Sequence, residues 1–116
     1  VPSDFIKALA LGADGIALAN SSLQSIGCVA ARMCNTNNCP TGIATQKPEL
    51  RKRLNIDKSA QQLANFLNAS AELIKVMARA CGHSHISQFN KNDVATWRRK
   101  MSALSGIKYS GFDSSC

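Results

Sequence analysis

The chain has 116 residues, the size of one modest domain, with hydrophobic residues at 45% and aromatics at only 5%, so alanine, leucine and isoleucine must do most of the packing, as in helix-rich layers. The net charge of +7 sits in two small clusters, Lys47 to Arg53 and Arg98 to Lys100, neither interleaved with aromatics, which reads as solvated helix ends and loops and not as a nucleic-acid stripe. No apolar run approaches the roughly 18 residues that a membrane span needs.

The N-terminus, VPSDFIKALALG, has no basic region and no long apolar run, so it is not a signal peptide; it also lacks an initiator methionine, which points to a processed or excised chain. Pro2-Ser3-Asp4 opens a helix, with Ser3 as a cap and Asp4 at the positive end of the dipole. Phe5, Ile6, Leu9 and Ala10 follow at helical spacing, and Gly12 ends the element. Ile16 to Ala19 form a short apolar run between turn residues, the pattern of a strand buried on both faces of a parallel sheet. Asn20-Ser21-Ser22 offers caps for a second helix from Leu23 to about Cys28. Helix, glycine turn, strand, polar cap and helix make one unit of an α/β fold, but a single buried strand needs neighbours that this chain does not supply.

Cys34 to Pro48 is loop-like, rich in Asn, Thr, Pro and Gly, and Pro48 to Leu54 is expected to form a short helix. The clearest element runs from about Lys58 to Cys81. Leu63, Phe66, Leu67, Ser70, Ile74, Met77, Ala78 and Cys81 lie on one face of it, and Gly82 ends it. A helical turn is expected over Ser84 to Phe89, with Ile86 and Phe89 inward. A last helix is expected from about Asn92 to Ala103, with Val94, Trp97, Met101 and Leu104 as its stripe. The tail, Tyr109 to Cys116, reads as frayed. The expected organisation is 1–27 a helix–strand–helix unit, 28–48 a cysteine loop, 49–108 a helical segment and 109–116 a tail.

Five cysteines, an odd number without a signal peptide, argue against a secreted disulfide framework and for a reducing, cytoplasmic setting. Three of them cluster as Cys28-x5-Cys34-x4-Cys39. Zinc prefers closer pairs and four ligands, and the candidates for a fourth, His83 and His85, lie beyond a long helix. A catalytic thiol gives no reason for three clustered sulfurs. An iron–sulfur cluster fits better, since soft thiolates on a wandering loop can converge on one polymetallic face and the loop's N–H groups can serve its sulfides. Buried, inert thiols remain the bland alternative. The Asn20-Ser21-Ser22 turn, where a strand meets a helix N-terminus, reads either as a phosphate site or as an ordinary cap.

KALALGAD, Ile26-Gly27-Cys28 and the run CNTNNCPTGIATQKP from Cys34 to Pro48 together resemble the FMN-binding domain of the glutamate synthase family. The likeness covers nearly the whole chain. It implies a (β/α)8 TIM barrel carrying FMN and a three-iron four-sulfur (3Fe-4S) cluster. By the resemblance, Cys28, Cys34 and Cys39 fall on the three cluster ligands, and Ala19, Asn20 and Ser21 on the turn that holds the FMN phosphate after the eighth strand. Ser3 to Leu11 would be the barrel's seventh helix and Ile16 to Ala19 its eighth strand. The phosphate turn departs from the family, which commonly has an arginine there. Everything before the seventh helix is absent. The chain itself is therefore expected to be mainly α-helical with one short parallel-type strand, the C-terminal part of an oxidoreductase of glutamate biosynthesis. In the parent protein 2-oxoglutarate would be reductively aminated with glutamine-derived ammonia, and the remainder of the barrel would be this chain's partner. The competing reading is a small helical module that binds zinc or an iron–sulfur cluster and catalyses nothing.

Overall fold

The structure, a computed structural model, describes residues 2–112. It is mainly helical: α1 (Pro2–Ala10), α2 (Asn20–Ser25), α3 (Pro48–Arg51), α4 (Ile56–Ala80) and α5 (Arg99–Ser105). Two short strands, β1 (Ala95–Thr96) and β2 (Lys108–Tyr109), pair in parallel, with Ala95 opposite Lys108 and Thr96 opposite Tyr109. The chain divides into two compact units, one of residues 1–16 with 71–116 and one of residues 17–70, and α4 supplies residues to both.

The first unit is organised around a small apolar core. Ile6 and Ala10 of α1 pack with Ala78 of α4 and with Phe89, and Leu9, Ile74, Cys81 and Val94 close around them. α1 ends as its sequence suggests: the Ala13 N–H reaches back to the Ala8 carbonyl at 3.0 Å and the Gly12 N–H to Leu9 at 2.9 Å. That is a Schellman ending, and it requires the left-handed backbone that glycine supplies at Gly12. α4 ends in the same way at Gly82, its His83 N–H donating to the Ala78 carbonyl at 2.8 Å. Beside the core, His83 Nε2 lies 2.8 Å from Asp93 Oδ2, and the His83 ring meets Phe89 edge-on at 5.6 Å. The hydrogen bond from His83, aided by the Asn90 N–H, holds the Asp93 carboxyl below its usual range.

In the second unit the earlier part of α4 turns Leu63, Phe66 and Ser70 inward, and the half-buried Ser59 hydroxyl reaches the Ile26 carbonyl at 3.5 Å. The apolar stripe anticipated for α4 is present but narrower than expected. Leu67 and Met77 are 44% and 43% exposed, because both sit at the margin of the face defined by Leu63, Phe66, Ser70, Ile74 and Ala78.

Three expectations are corrected. Ile16 to Ala19 is not a strand: it is irregular, and Ile16, Ala17 and Ala19 are exposed. A buried strand needs hydrogen-bonding neighbours, and among the described residues none lies beside it. The single parallel pair is formed at the other end of the chain, and the described residues form no barrel. The last helix does not run from Asn92 to Ala103. Asn90 caps only a single 3-10 turn, Lys91–Asp93, and Val94 is extended at φ −125° and ψ 149°. The chain continues into β1, and α5 starts at Arg99. Parallel pairing of β1 with β2 needs a crossover between them, and α5 is that crossover. Trp97 therefore lies outside the helix and is 73% exposed. Finally, the second cationic cluster does contact aromatics. Arg98 lies over the Trp97 ring at 5.0 Å and Arg99 over the Tyr109 ring at 4.8 Å. Of the tail, residues 113–116, including Cys116, lie outside the described residues.

Candidate functional site

The cysteine loop is built from within. α2 ends in a Schellman motif at Gly27, whose φ of +101° only glycine adopts readily, and the Cys28 N–H closes it on the Leu23 carbonyl at 3.0 Å. Cys28 is half-buried there. Ala30 and Arg32 follow, both with φ of +54°. Two non-glycine residues in left-handed backbone within one short connector are strained, each by about 1 kcal/mol or more. Cys34 is exposed and begins a 3-10 turn, Cys34–Thr36, that the Thr36 hydroxyl closes on the Met33 carbonyl at 2.8 Å.

Beyond that turn Asn37 is left-handed at φ 61°, and its side chain staples the loop. Its Oδ1 accepts the Gln46 N–H at 2.6 Å and the Thr45 hydroxyl at 3.1 Å, and its own carbonyl accepts the same hydroxyl at 2.7 Å. Lys47 Nζ donates to Asn38 Oδ1, and the Arg53 guanidinium donates to the Pro40 carbonyl at 2.9 Å. Gly42 presses its backbone against α3: a Cβ there would lie 2.5 Å from the Leu50 carbonyl oxygen.

These braces surround Cys39, the most buried of the three clustered thiols at 7% exposure. Its sulfur lies 3.4 Å from the Thr41 hydroxyl. That hydroxyl first, then the backbone N–H groups of Ala44, Thr41 and Ile43, favour the thiolate against the opposing effect of burial and push Cys39 down to about 6. At neutral pH the loop thus holds a thiolate in a ring of donors, the state in which cysteine binds a soft metal.

The donor chemistry at Cys39 fits an iron–sulfur ligand. The described residues do not, however, gather three or more His, Cys, Asp or Glu side chains at one point. Cys28 and Cys34 stand in the same unit as Cys39 but do not join it as a ligand set. His83 and His85, weighed as a fourth zinc ligand, are engaged elsewhere: His83 with Asp93, and His85 as the cap of the 3-10 turn Ile86–Gln88, accepting the Ser87 N–H.

The other candidate turn is simpler. Ala19 is the N-cap residue of α2, with no side-chain cap, and its carbonyl accepts the Leu23 N–H at 3.0 Å. Asn20 and Ser21 are the first helical residues, Asn20 exposed and Ser21 half-buried. The caps anticipated at these positions are therefore inside the helix.

The staple through Asn37, Thr45 and Gln46 was not anticipated from sequence. Asn tolerates left-handed backbone and bonds nearby amides, so the Asn-rich run was its available signal.

Fold and site together define a helical module organised around a preformed, thiolate-bearing loop. Its kinship follows from comparison. The family model described as "Conserved region in glutamate synthase" matches residues 1–84. The chain belongs to the glutamate synthase family. It is 36% identical over 80% of its length to the glutamate synthase large subunit-like protein YerD of Bacillus subtilis, covering 18% of that protein. It is 41% identical over 78% of its length to an archaeal-type glutamate synthase (NADPH) of a Thermotoga species, again covering 18%. A glutamate synthase large subunit-like protein of Rhizobium meliloti matches 94% of the chain at 30% identity, with 28% of that protein covered. The chain thus spans about a fifth of the length of the first of these relatives. No solved structure matches.

Proposed function

We propose that this chain is the cofactor-holding end of a glutamate synthase-type flavin and iron–sulfur oxidoreductase. In this reading Cys28, Cys34 and Cys39 hold a 3Fe-4S cluster, and the Ala19-Asn20-Ser21 turn receives the phosphate of FMN. The observation that carries the reading is Cys39: inside the family's conserved region, a buried sulfur lies 3.4 Å from the Thr41 hydroxyl, which with the backbone N–H groups of Ala44, Thr41 and Ile43 lowers its pKa. Bound there, the two cofactors would supply the electron transfer needed for reductive amination of 2-oxoglutarate with glutamine-derived ammonia in the whole protein.

The chain's own residues have distinct tasks. Cys39 is the preformed anchor, fixed by the Asn37–Thr45–Gln46 staple. The connector through Ala30 and Arg32, both in left-handed backbone, lies between Cys28 and Cys34 and would have to rearrange for the two thiols to join Cys39 as a ligand set. The free N–H end of α2 offers donors to a phosphate without the arginine usual in the family. Ile56, Leu67, Leu73 and Val76 of α4, all at least 44% exposed, are apolar surface for packing against the remainder of a parent protein, in keeping with the much greater length of the relatives. A cytoplasmic setting keeps the thiols reduced.

Anaerobic reconstitution with ferrous iron and sulfide tests the reading. The chain should take up iron and sulfide with broad visible absorption, and Cys39→Ser should lose both. Stoichiometric zinc with no iron uptake would instead establish a zinc-binding interaction module.

A further inference from the structure

Cys39, Pro40, Thr41 and Gly42 form a closed turn, in which the Gly42 N–H donates to the Cys39 carbonyl at 3.3 Å. Proline at the second position presets φ for such a turn, and glycine at the fourth suits its exit. The turn is held from outside as well. The Arg53 guanidinium donates to the Pro40 carbonyl at 2.9 Å, and the Gly42 backbone lies against the Leu50 carbonyl. So held, the turn folds the half-buried Thr41 back toward Cys39, and its hydroxyl stands 3.4 Å from the buried sulfur.

A thiol and a hydroxyl can each donate, so in the free chain this bond can run either way. Ligation decides its direction. A cysteine sulfur bound to iron is a thiolate with no proton to give, and the Thr41 hydroxyl is then the donor. A donor aimed at a ligand sulfur offsets negative charge and favours the form of a cluster that carries one more electron. The backbone N–H groups of Ala44, Thr41 and Ile43 act on the sulfur in the same sense, but they belong to the main chain, and any residue except proline supplies them. The hydroxyl is the part of this donor set that the choice of side chain decides.

We propose that Thr41 is a positioning residue that raises the reduction potential of the iron–sulfur cluster held through Cys39, by donating its hydroxyl to the Cys39 sulfur. The proposal rests on the reading of Cys39 as a cluster ligand, and it adds to that reading what sets how readily the cluster accepts an electron.

The test compares the full chain with Thr41→Val, Thr41→Ala and Thr41→Ser after anaerobic reconstitution with ferrous iron and sulfide. Valine keeps the size of threonine without the hydroxyl, alanine removes the hydroxyl without adding bulk, and serine keeps it. Iron and sulfide content is measured first. The midpoint potential of the bound cluster is then read from a redox titration at fixed pH, followed by visible absorption. Thr41→Val and Thr41→Ala should load as the parent does and lower the midpoint by about 59 mV, a tenfold change in the ratio of reduced to oxidised cluster for one electron. Thr41→Ser should keep the parent's midpoint. Full loading with an unchanged midpoint in the valine and alanine variants, or an equal drop in the serine variant, would overturn the role of Thr41 and leave the cluster reading standing. Failure of both the valine and alanine variants to load would make the hydroxyl a brace of the turn and overturn the proposal in the same way. No uptake of iron and sulfide by the parent chain would overturn both readings.

Discussion

Asn37 Oδ1 accepts the backbone N–H of Gln46 at 2.6 Å while Asn37 itself sits in left-handed backbone. One side chain thereby joins the two arms of the cysteine loop across nine positions of sequence. Asn37→Ala removes the acceptor and leaves a Cβ residue in an unfavourable backbone region. It should destabilise the chain by about 1–2 kcal/mol in urea denaturation. Asn37→Gly keeps the backbone comfortable and loses only the side-chain bonds, so its loss should be smaller.

Gly42 has the tightest steric limit in the loop. At φ +80°, an alanine Cβ would meet the Leu50 carbonyl oxygen at 2.5 Å, and the obstacle is backbone. Gly42→Ala should lower stability by about 2 kcal/mol or more, seen as a drop in Tm, because both the φ and the contact must change. The control is Gly15→Ala, where nothing lies within 4 Å of the new Cβ and φ is not left-handed.

Cys39 should titrate with a midpoint of about 6 in the metal-free chain, read from the Cβ shift of carbon-13-labelled cysteine. Thr41→Val removes the principal cause and should move the midpoint back toward the ordinary value of 9.0. Because the folded pKa is the lower one, the associated stability is fully present above about 9 and is lost as the pH falls through about 6. The chain should therefore be less stable at pH 6 than at pH 8, and Thr41→Val should flatten that slope.

The His83–Asp93 pair has its pH dependence at the acid end. Asp93 is lowered from 3.8 by the bond from His83 and by the Asn90 N–H, so its contribution is present above that value and is lost as the pH falls through the lowered pKa. Asp93→Asn should remove this part of the acid sensitivity, measured as the difference in denaturation midpoint between neutral pH and pH values below 3.8.

Much of the helical content was legible because it is local. The endings of α1 and α4 follow from a glycine at the right place, and the inward face of α4 follows from the spacing of Leu63, Phe66, Ser70, Ile74 and Ala78. The three clustered cysteines and the run CPTGIATQ pointed to the family without any coordinates. Strand formation was not legible, because a strand exists only where a partner edge is available. Ile16 to Ala19 has strand composition and no partner among the described residues, whereas Ala95–Thr96 has a weak pattern and a partner in Lys108–Tyr109. The helix expected to contain Trp97 failed for a related reason: Val94 and Thr96 were drawn into extended backbone by that pairing. Sequence alone, then, determined α1, α4, their closing glycines and the family. Tertiary structure decided which thiol is held as a thiolate, which cations lie on aromatic rings and which apolar residues project into solvent. The Arg99–Tyr109 contact joins residues ten positions apart, while Thr41, Ile43 and Ala44 are near Cys39 in sequence and reach its sulfur only because the loop, closed by the Asn37–Gln46 staple, turns back on itself.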